Sequence, residues 1–180
     1  MDEVLGGDWW HRIWASGTQD RVELILEGYK DVLLKQSAAG WGIFDVDVAD
    51  RWQGPPSYHL LLLTQHADGV WAFNESLSLA MEEYRQYCHE HEGLLDLEPL
   101  KDREQQWSDH IESNLRRLLQ ERQAFRAVDR IMGVYGDAFG QARQKHLRPA
   151  LKRLHADGVT TTNCVGVNDL GSLRIKPGSS

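Results

Sequence analysis

Residues 58–77 read YHLLLLTQHADGVWAFNESL: an apolar run, a turn, then the start of an apolar-striped helix. The run from Tyr58 to Thr64 carries no carboxylate, Lys or Arg and hardly alternates. That pattern predicts a strand buried on both faces in the middle of a sheet. Asp68-Gly69 supplies a turn, and residues 70–87 set Phe73, Leu77, Ala80, Met81 and Tyr84 along one side of a helix. Upstream, residues 42–49 (GIFDVDVA) alternate, with Phe44, Val46 and Val48 on one face and Asp45 and Asp47 on the other. This is the period of a strand with one wetter face. Gly54, Pro55 and Pro56 make residues 50–57 a loop, and a short loop between two strands predicts antiparallel neighbours. Residues 18–36 have a broad apolar stripe at helical spacing (Val22, Leu24, Ile25, Leu26, Tyr29, Val32, Leu33). Residues 8–15 (DWWHRIWA) set Trp10 and Trp14 four apart, as on one helix face. An α/β region over residues 1–90 follows. Two strands alone leave open edges, so a dimer or a sheet completed by another chain is expected.

Beyond this region the pattern changes. Residues 88–100 (CHEHEGLLDLEPL) read as a polar connection, which puts a linker at 91–101 and a second unit at 102–180. Residues 102–122 form a polar helix with a narrow stripe of Trp107, Ile111, Leu115, Leu118 and Leu119. Three helices are then predicted, at 124–134, 141–146 and about 146–157. Pro149 belongs in the first turn of the last of these, and Gly158 closes it. Leu147, Ala150, Leu151 and Leu154 face inward, and Arg148, Lys152 and His155 share the outer face at i, i+4 and i+7. Residues 159–162 and 173–176 complete a hairpin, and three helices with a hairpin predict a winged helix-turn-helix.

Charge separates the two parts. Arg143, Lys145, Arg148, Lys152, Arg153, Arg174 and Lys176 against Asp157 and Asp169 give residues 143–180 a charge of +5, which leaves −12 on residues 1–142 within the net −7. Such asymmetry predicts an anionic partner for the tail. Cys88 and Cys164 lie far apart without the paired spacing of a disulfide framework or a zinc ribbon. The longest apolar run, Leu60 to Leu63, is too short to cross a bilayer, and the first residues carry only acids, so a cytoplasmic protein is expected.

MDEVLGGDWWHRIW (1–14), RVELILEGYKDVL (21–33) and YHLLLLTQHADGVWAFNESL (58–77) together resemble the C-terminal half of three-Cys-motif partner (TcmP) proteins. Those are methyltransferase-like proteins often found beside radical S-adenosylmethionine proteins in phage-related or mobile loci. The resemblance implies that residues 42–64 are late antiparallel strands of a methyltransferase-like sheet and that residues 102–176 are a winged-helix extension. In that family the cofactor-binding half, with its Gly-rich loop, precedes the region matched here. Gly6-Gly7 has no strand before it and does not replace that loop. The resemblance therefore implies a fragment or a split subunit, with no cofactor residue to carry over and no catalysis by this chain alone. Its partners would be a protein supplying the other half or a radical S-adenosylmethionine protein.

Candidate chemistry is sparse. Asp45, Asp47 and Asp50 could share a cation, but a solvated strand face explains them better. In Cys88, His89 and His91 the histidines lack the i, i+4 spacing of a helical metal pair, so a polar linker is the better reading. His59 and His66 flank the apolar strand with no patterned nucleophile or acid, which favours structural histidines over a catalytic base. No G-x-S-x-G or Walker loop occurs. The strongest signal is basic: Arg148, Lys152 and Arg153 on the last helix, and Arg174 and Lys176 on the hairpin with Asn168 and Ser172. Cations so placed can neutralise phosphates of DNA or RNA while helix side chains reach base edges. No metal, cofactor or catalytic residue is assigned. The alternative function is a protein-interaction or dimerisation subunit. It would use Trp9, Trp10, Trp14, Trp41 and Trp52 and complete a split S-adenosylmethionine-dependent methyltransferase.

Overall fold

A computed structural model describes residues 1–37, 39–49, 54–91 and 100–178. It is a mixed α/β chain with two small sheets, and its contacts divide into two compact units. Residues 1–45 and 61–65 make the first, and residues 46–60 and 66–180 the second. The expected linker at 91–101 is not where the contacts divide, and residues 92–99 of it lie outside the described residues.

The first unit carries α1 (Asp2–Leu5), α2 (Trp10–Ala15) and α3 (Arg21–Gln36). Indole N–H groups fasten its start: Trp9 donates to the Leu5 carbonyl at 2.8 Å and Trp10 to Asp2 at 2.9 Å. Gly28 of α3 lets the Trp9 ring approach the helix backbone, since a Cβ there would sit 2.3 Å from the ring. Lys30 pairs with Glu27 and with Asp45, each at 2.6 Å. None of residues 1–37 is buried, and Val22 and Leu24 are about half exposed.

The two predicted strands appear as β1 (Gly42–Val48) and β2 (Tyr58–Thr64), paired in a two-stranded sheet. The Ser57 N–H donates to the Val48 carbonyl at one end, and Gly42 lies beside the Thr64 carbonyl at the other, so the pair is antiparallel. The central, doubly buried position expected for β2 is not observed. Among the described residues β1 is its one neighbour, and Tyr58 and Leu60 stay exposed because no layer covers them. Asp47 pairs with His59 across the strands at 2.7 Å, so each strand acid has its own partner. Asp50 and Trp52 lie outside the described residues.

The second unit holds the core. Its first helix, α4, runs Ala67–His91, longer than the apolar stripe predicts. Residues 88–91, expected to be a polar connection, continue it with Cys88 fully buried. Next come α5 (Leu100–Leu119), β3 (Phe125–Arg126), a 3-10 turn (Ala127–Arg130), α6 (Ile131–Tyr135), a second 3-10 turn (Gly136–Ala138), α7 (Gln144–Ala156) and β4 (Arg174–Ile175). The helix expected at 124–134 is thus split by a strand and a 3-10 turn. The one expected at 141–146 is not separate, because α7 already begins at Gln144. Pro149 consequently lies inside α7 rather than in its first turn. It is exposed, and the bond it forfeits is to the Lys145 carbonyl four residues back.

Leu147, Ala150, Leu151 and Leu154 are fully buried, as their spacing predicts, and α7 packs on α5, which buries Ile111 and Leu115. Helix α4 is joined to the segment before α7 by side chains. The Asn74 amide donates to the Ala142 carbonyl at 2.9 Å and accepts from the Gly140 N–H at 2.6 Å. Ser78 donates to the Gln141 carbonyl at 2.6 Å, and Arg85 to the Gln141 side chain at 2.7 Å. Strands β3 and β4 pair antiparallel, Phe125 opposite Ile175 and Arg126 opposite Arg174, and a further bridge joins Thr160 to Pro177.

Candidate nucleic-acid interface

The basic residues of α7 and the C-terminal hairpin fall into two classes. Arg143 pairs with Glu82 at 2.5 Å, and Lys145 pairs with Glu82 and Glu104. Arg153 is held by α5, donating to Glu112 at 2.5 Å and to Asp109 at 2.8 Å. Glu112 also takes Arg116, which pairs with Asp157 as well, and these arginines hold the Glu112 carboxyl below its usual range against the effect of burial. Arg148 donates to the carbonyls of Cys164 at 2.9 Å and Val167 at 2.6 Å, while the Cys164 thiol lies 3.8 Å from the Arg148 carbonyl. Two of the five expected contact residues, Arg148 and Arg153, are therefore engaged within the fold. Arg153 points toward α5 because two acids wait there, more than forty residues away in sequence.

Lys152, Arg174 and Lys176 form the other class. All three are exposed and take no acidic partner among the described residues. Arg174 and Lys176 flank the buried Ile175, so the strand period turns both to the outer face. The Thr162 hydroxyl donates to the Arg174 carbonyl at 3.2 Å and accepts the Lys176 N–H at 2.8 Å, which sets residues 160–162 beside that strand. On α7, Arg148 reaches residues 164 and 167, and the His155 ring lies 3.2 Å from the Thr160 carbonyl. Lys152 sits between them on the same stripe, so the three open cations border one hairpin. Asn168 is exposed at its turn, whereas Ser172 is engaged with Asp169 at 2.6 Å.

The division predicts different outcomes for neighbouring substitutions. Arg153→Ala should lower stability by about 1–2 kcal/mol, since it strips a charge-assisted bond from the half-buried Glu112. It should leave duplex affinity within about twofold. Urea unfolding and a binding titration on the same variant check both halves.

His146 opens α7. Its Nδ1 accepts the Arg143 N–H at 3.0 Å, so the neutral ring carries its proton on Nε2, which is buried without a hydrogen-bond partner. Burial lowers the imidazole from 6.5 to about 4, and Lys145 adds to the effect. Between those values the unfolded chain takes up a proton that the folded chain refuses, so stability falls as pH falls through the window and levels off below it. From pH 7 to pH 5 the loss is about 2 kcal/mol. Urea unfolding at both pH values should show a drop smaller by that amount in His146→Gln than in wild type.

Among the described residues no group of three or more His, Cys, Asp or Glu side chains is placed to hold a metal ion. The side chains of His89 and His91 lie outside the described residues, and His59 is committed to Asp47. No described helix is long and apolar enough to cross a membrane. No family model, curated protein or solved structure matches the chain.

Proposed function

We propose that the C-terminal part, from residue 102 onward, is a winged helix that binds nucleic acid through Lys152, Arg174 and Lys176. The observation that carries this reading is the grouping of three open cations around one hairpin in a chain of net charge −7. The order helix, strand, helix, helix, strand (α5, β3, α6, α7, β4), with an isolated bridge from Thr160 to Pro177, supports it. On this reading α7 lies along the nucleic acid and the open cations neutralise phosphates, which gives affinity without sequence preference. Together with the resemblance to TcmP proteins, it makes the chain a binding or scaffolding part of a methyltransferase-like assembly. Such a part would position a partner that supplies the chemistry, a cofactor-binding half or a radical S-adenosylmethionine protein.

Fluorescence anisotropy with a labelled duplex tests the reading. Lys152→Ala/Arg174→Ala/Lys176→Ala should weaken binding by at least about tenfold at low salt while leaving the unfolding midpoint unchanged. Equal binding by wild type and the triple variant would overturn it.

A second reading rests on the first unit, where no residue of 1–37 is buried and Trp14, Val22 and Leu24 are half exposed. An uncovered apolar face of that kind suits a second copy or a partner protein. Sedimentation velocity on the isolated chain distinguishes a dimer from a monomer that awaits its partner.

A further inference from the structure

Where the start of α7 meets α5 there is a cavity of about 320 Å³, lined by Glu104, Gln105, Ser108, Lys145, His146 and Pro149. One wall is an ion pair, with Lys145 Nζ 2.7 Å from Glu104 Oε1 and the two side chains 37 % and 36 % exposed. Lys145 also holds Glu82 at 3.1 Å. Two other lining residues are buried polar groups, His146 at 3 % exposure and Ser108 at 4 %. The Ser108 hydroxyl donates to the Glu104 carbonyl at 3.0 Å, so its lone pairs are left to accept. The His146 ring is held in place: Nδ1 accepts the Arg143 N–H, and the ring packs edge-on against Trp107 with centroids 5.0 Å apart. Its Nε2–H therefore points away from Arg143, on the side of Glu104. Glu104 Oε1 is 3.9 Å from Nε2, beyond hydrogen-bonding distance, and is already taken by Lys145. Buried donors left without an acceptor are rare in native folds and call for an explanation. A ring nitrogen that carries its proton is also no metal ligand.

We propose that this cavity binds a small zwitterion of the α-amino acid class, which enters between Lys145 and Glu104. The ligand carboxylate takes the His146 Nε2–H and the Lys145 ammonium, and the ligand ammonium takes the Glu104 carboxylate and the Ser108 oxygen. Opening the wall pair in this way leaves neither of its charges without a partner. A simple anion would strip Lys145 from Glu104 and then face that acid, and a simple cation would leave the His146 donor unused. The wall pair is open enough to solvent for both side chains to turn aside, whereas His146 is fixed and supplies the anchor. Hydrogen bonds that carry a full charge are the strong ones, so most of the affinity lies in the two charged ends of the ligand. None of these residues is among the three open cations, so the proposal stands apart from the nucleic-acid reading.

L-alanine, propionate and ethylammonium make the test, because propionate lacks the ammonium of alanine and ethylammonium lacks its carboxylate. NMR titration of the full chain follows the His146 ring Nε2–H and the backbone amides of Ser108 and Lys145. L-alanine should shift these signals saturably, with propionate and ethylammonium each at least about tenfold weaker. His146→Asn keeps an acceptor for the Arg143 N–H but removes the Nε2 donor, and should weaken L-alanine by about tenfold. Glu104→Gln alters a part-exposed side chain and should bring L-alanine to the level of propionate, which keeps the test open if His146→Asn fails to fold. No saturable shift with L-alanine up to about 50 mM would overturn the proposal, since that concentration lies well above a millimolar dissociation constant. Propionate bound as well as L-alanine would overturn the zwitterion, and wild-type binding in either variant would overturn the assigned contacts.

Discussion

Asn74→Ala is expected to cost about 3 kcal/mol of stability, although Asn74 makes no contact with the candidate interface. Its side chain is fully buried and spans two backbone groups, the Gly140 N–H and the Ala142 carbonyl. Truncation leaves that donor and that acceptor in the interior with nothing in place of the amide. Each orphaned group costs about 1–3 kcal/mol, more than the net value of a hydrogen bond made in competition with water. Asn74→Asp retains the acceptor toward Gly140 but turns a carboxylate on the Ala142 carbonyl, so it should be no milder. Urea unfolding of the two variants gives the answer through the shift in midpoint at unchanged slope. A loss below about 1 kcal/mol in Asn74→Ala would mean that water replaces the amide and that α4 is held to the later helices by its other contacts.

Leu151→Ala is expected to cost a further class of energy, about 3–4 kcal/mol, from lost burial and an unfilled cavity. Leu151 is fully buried, on the α7 face that also buries Leu147 and Leu154, and α7 packs on α5. The adjacent Lys152 is exposed, and Lys152→Ala should stay within about 0.5 kcal/mol of wild type in stability. The pair separates folding from binding one residue apart: calorimetry should find Leu151→Ala strongly destabilised, and Lys152→Ala stable but weakened in duplex binding. A stable Leu151→Ala would contradict the packing of α7 described above.

Period located the two strands and the buried face of α7, whereas turn residues misplaced the start of α7 and the helices before it. The strands at 42–49 and 58–64 appear within a residue of their expected bounds, and the stripe of Leu147, Ala150, Leu151 and Leu154 names the buried face of α7. Tertiary partners were not legible in the same way. Asn74 looks like any polar residue of an amphipathic helix, because its partners lie 66 and 68 residues on. Arg153 and Lys152 look alike in sequence, and only the acids of α5 decide that one is engaged and the other open. Arg148 matches the outward spacing of Lys152, yet two loop carbonyls claim it. The apolar run of β2 reads as a central strand because composition reports what a strand could bury, not what lies next to it.

Nucleic-acid binding by three open cations at the C-terminal hairpin sets the salt dependence of duplex affinity. Each phosphate neutralised contributes about −0.9 to the slope of log affinity against log salt, so three contacts give about −2.7. That slope is expected for wild type and for Arg153→Ala, and a slope of about −1.8 for Lys152→Ala. A slope near zero, or one that Arg153→Ala reduces and Lys152→Ala leaves alone, would contradict it.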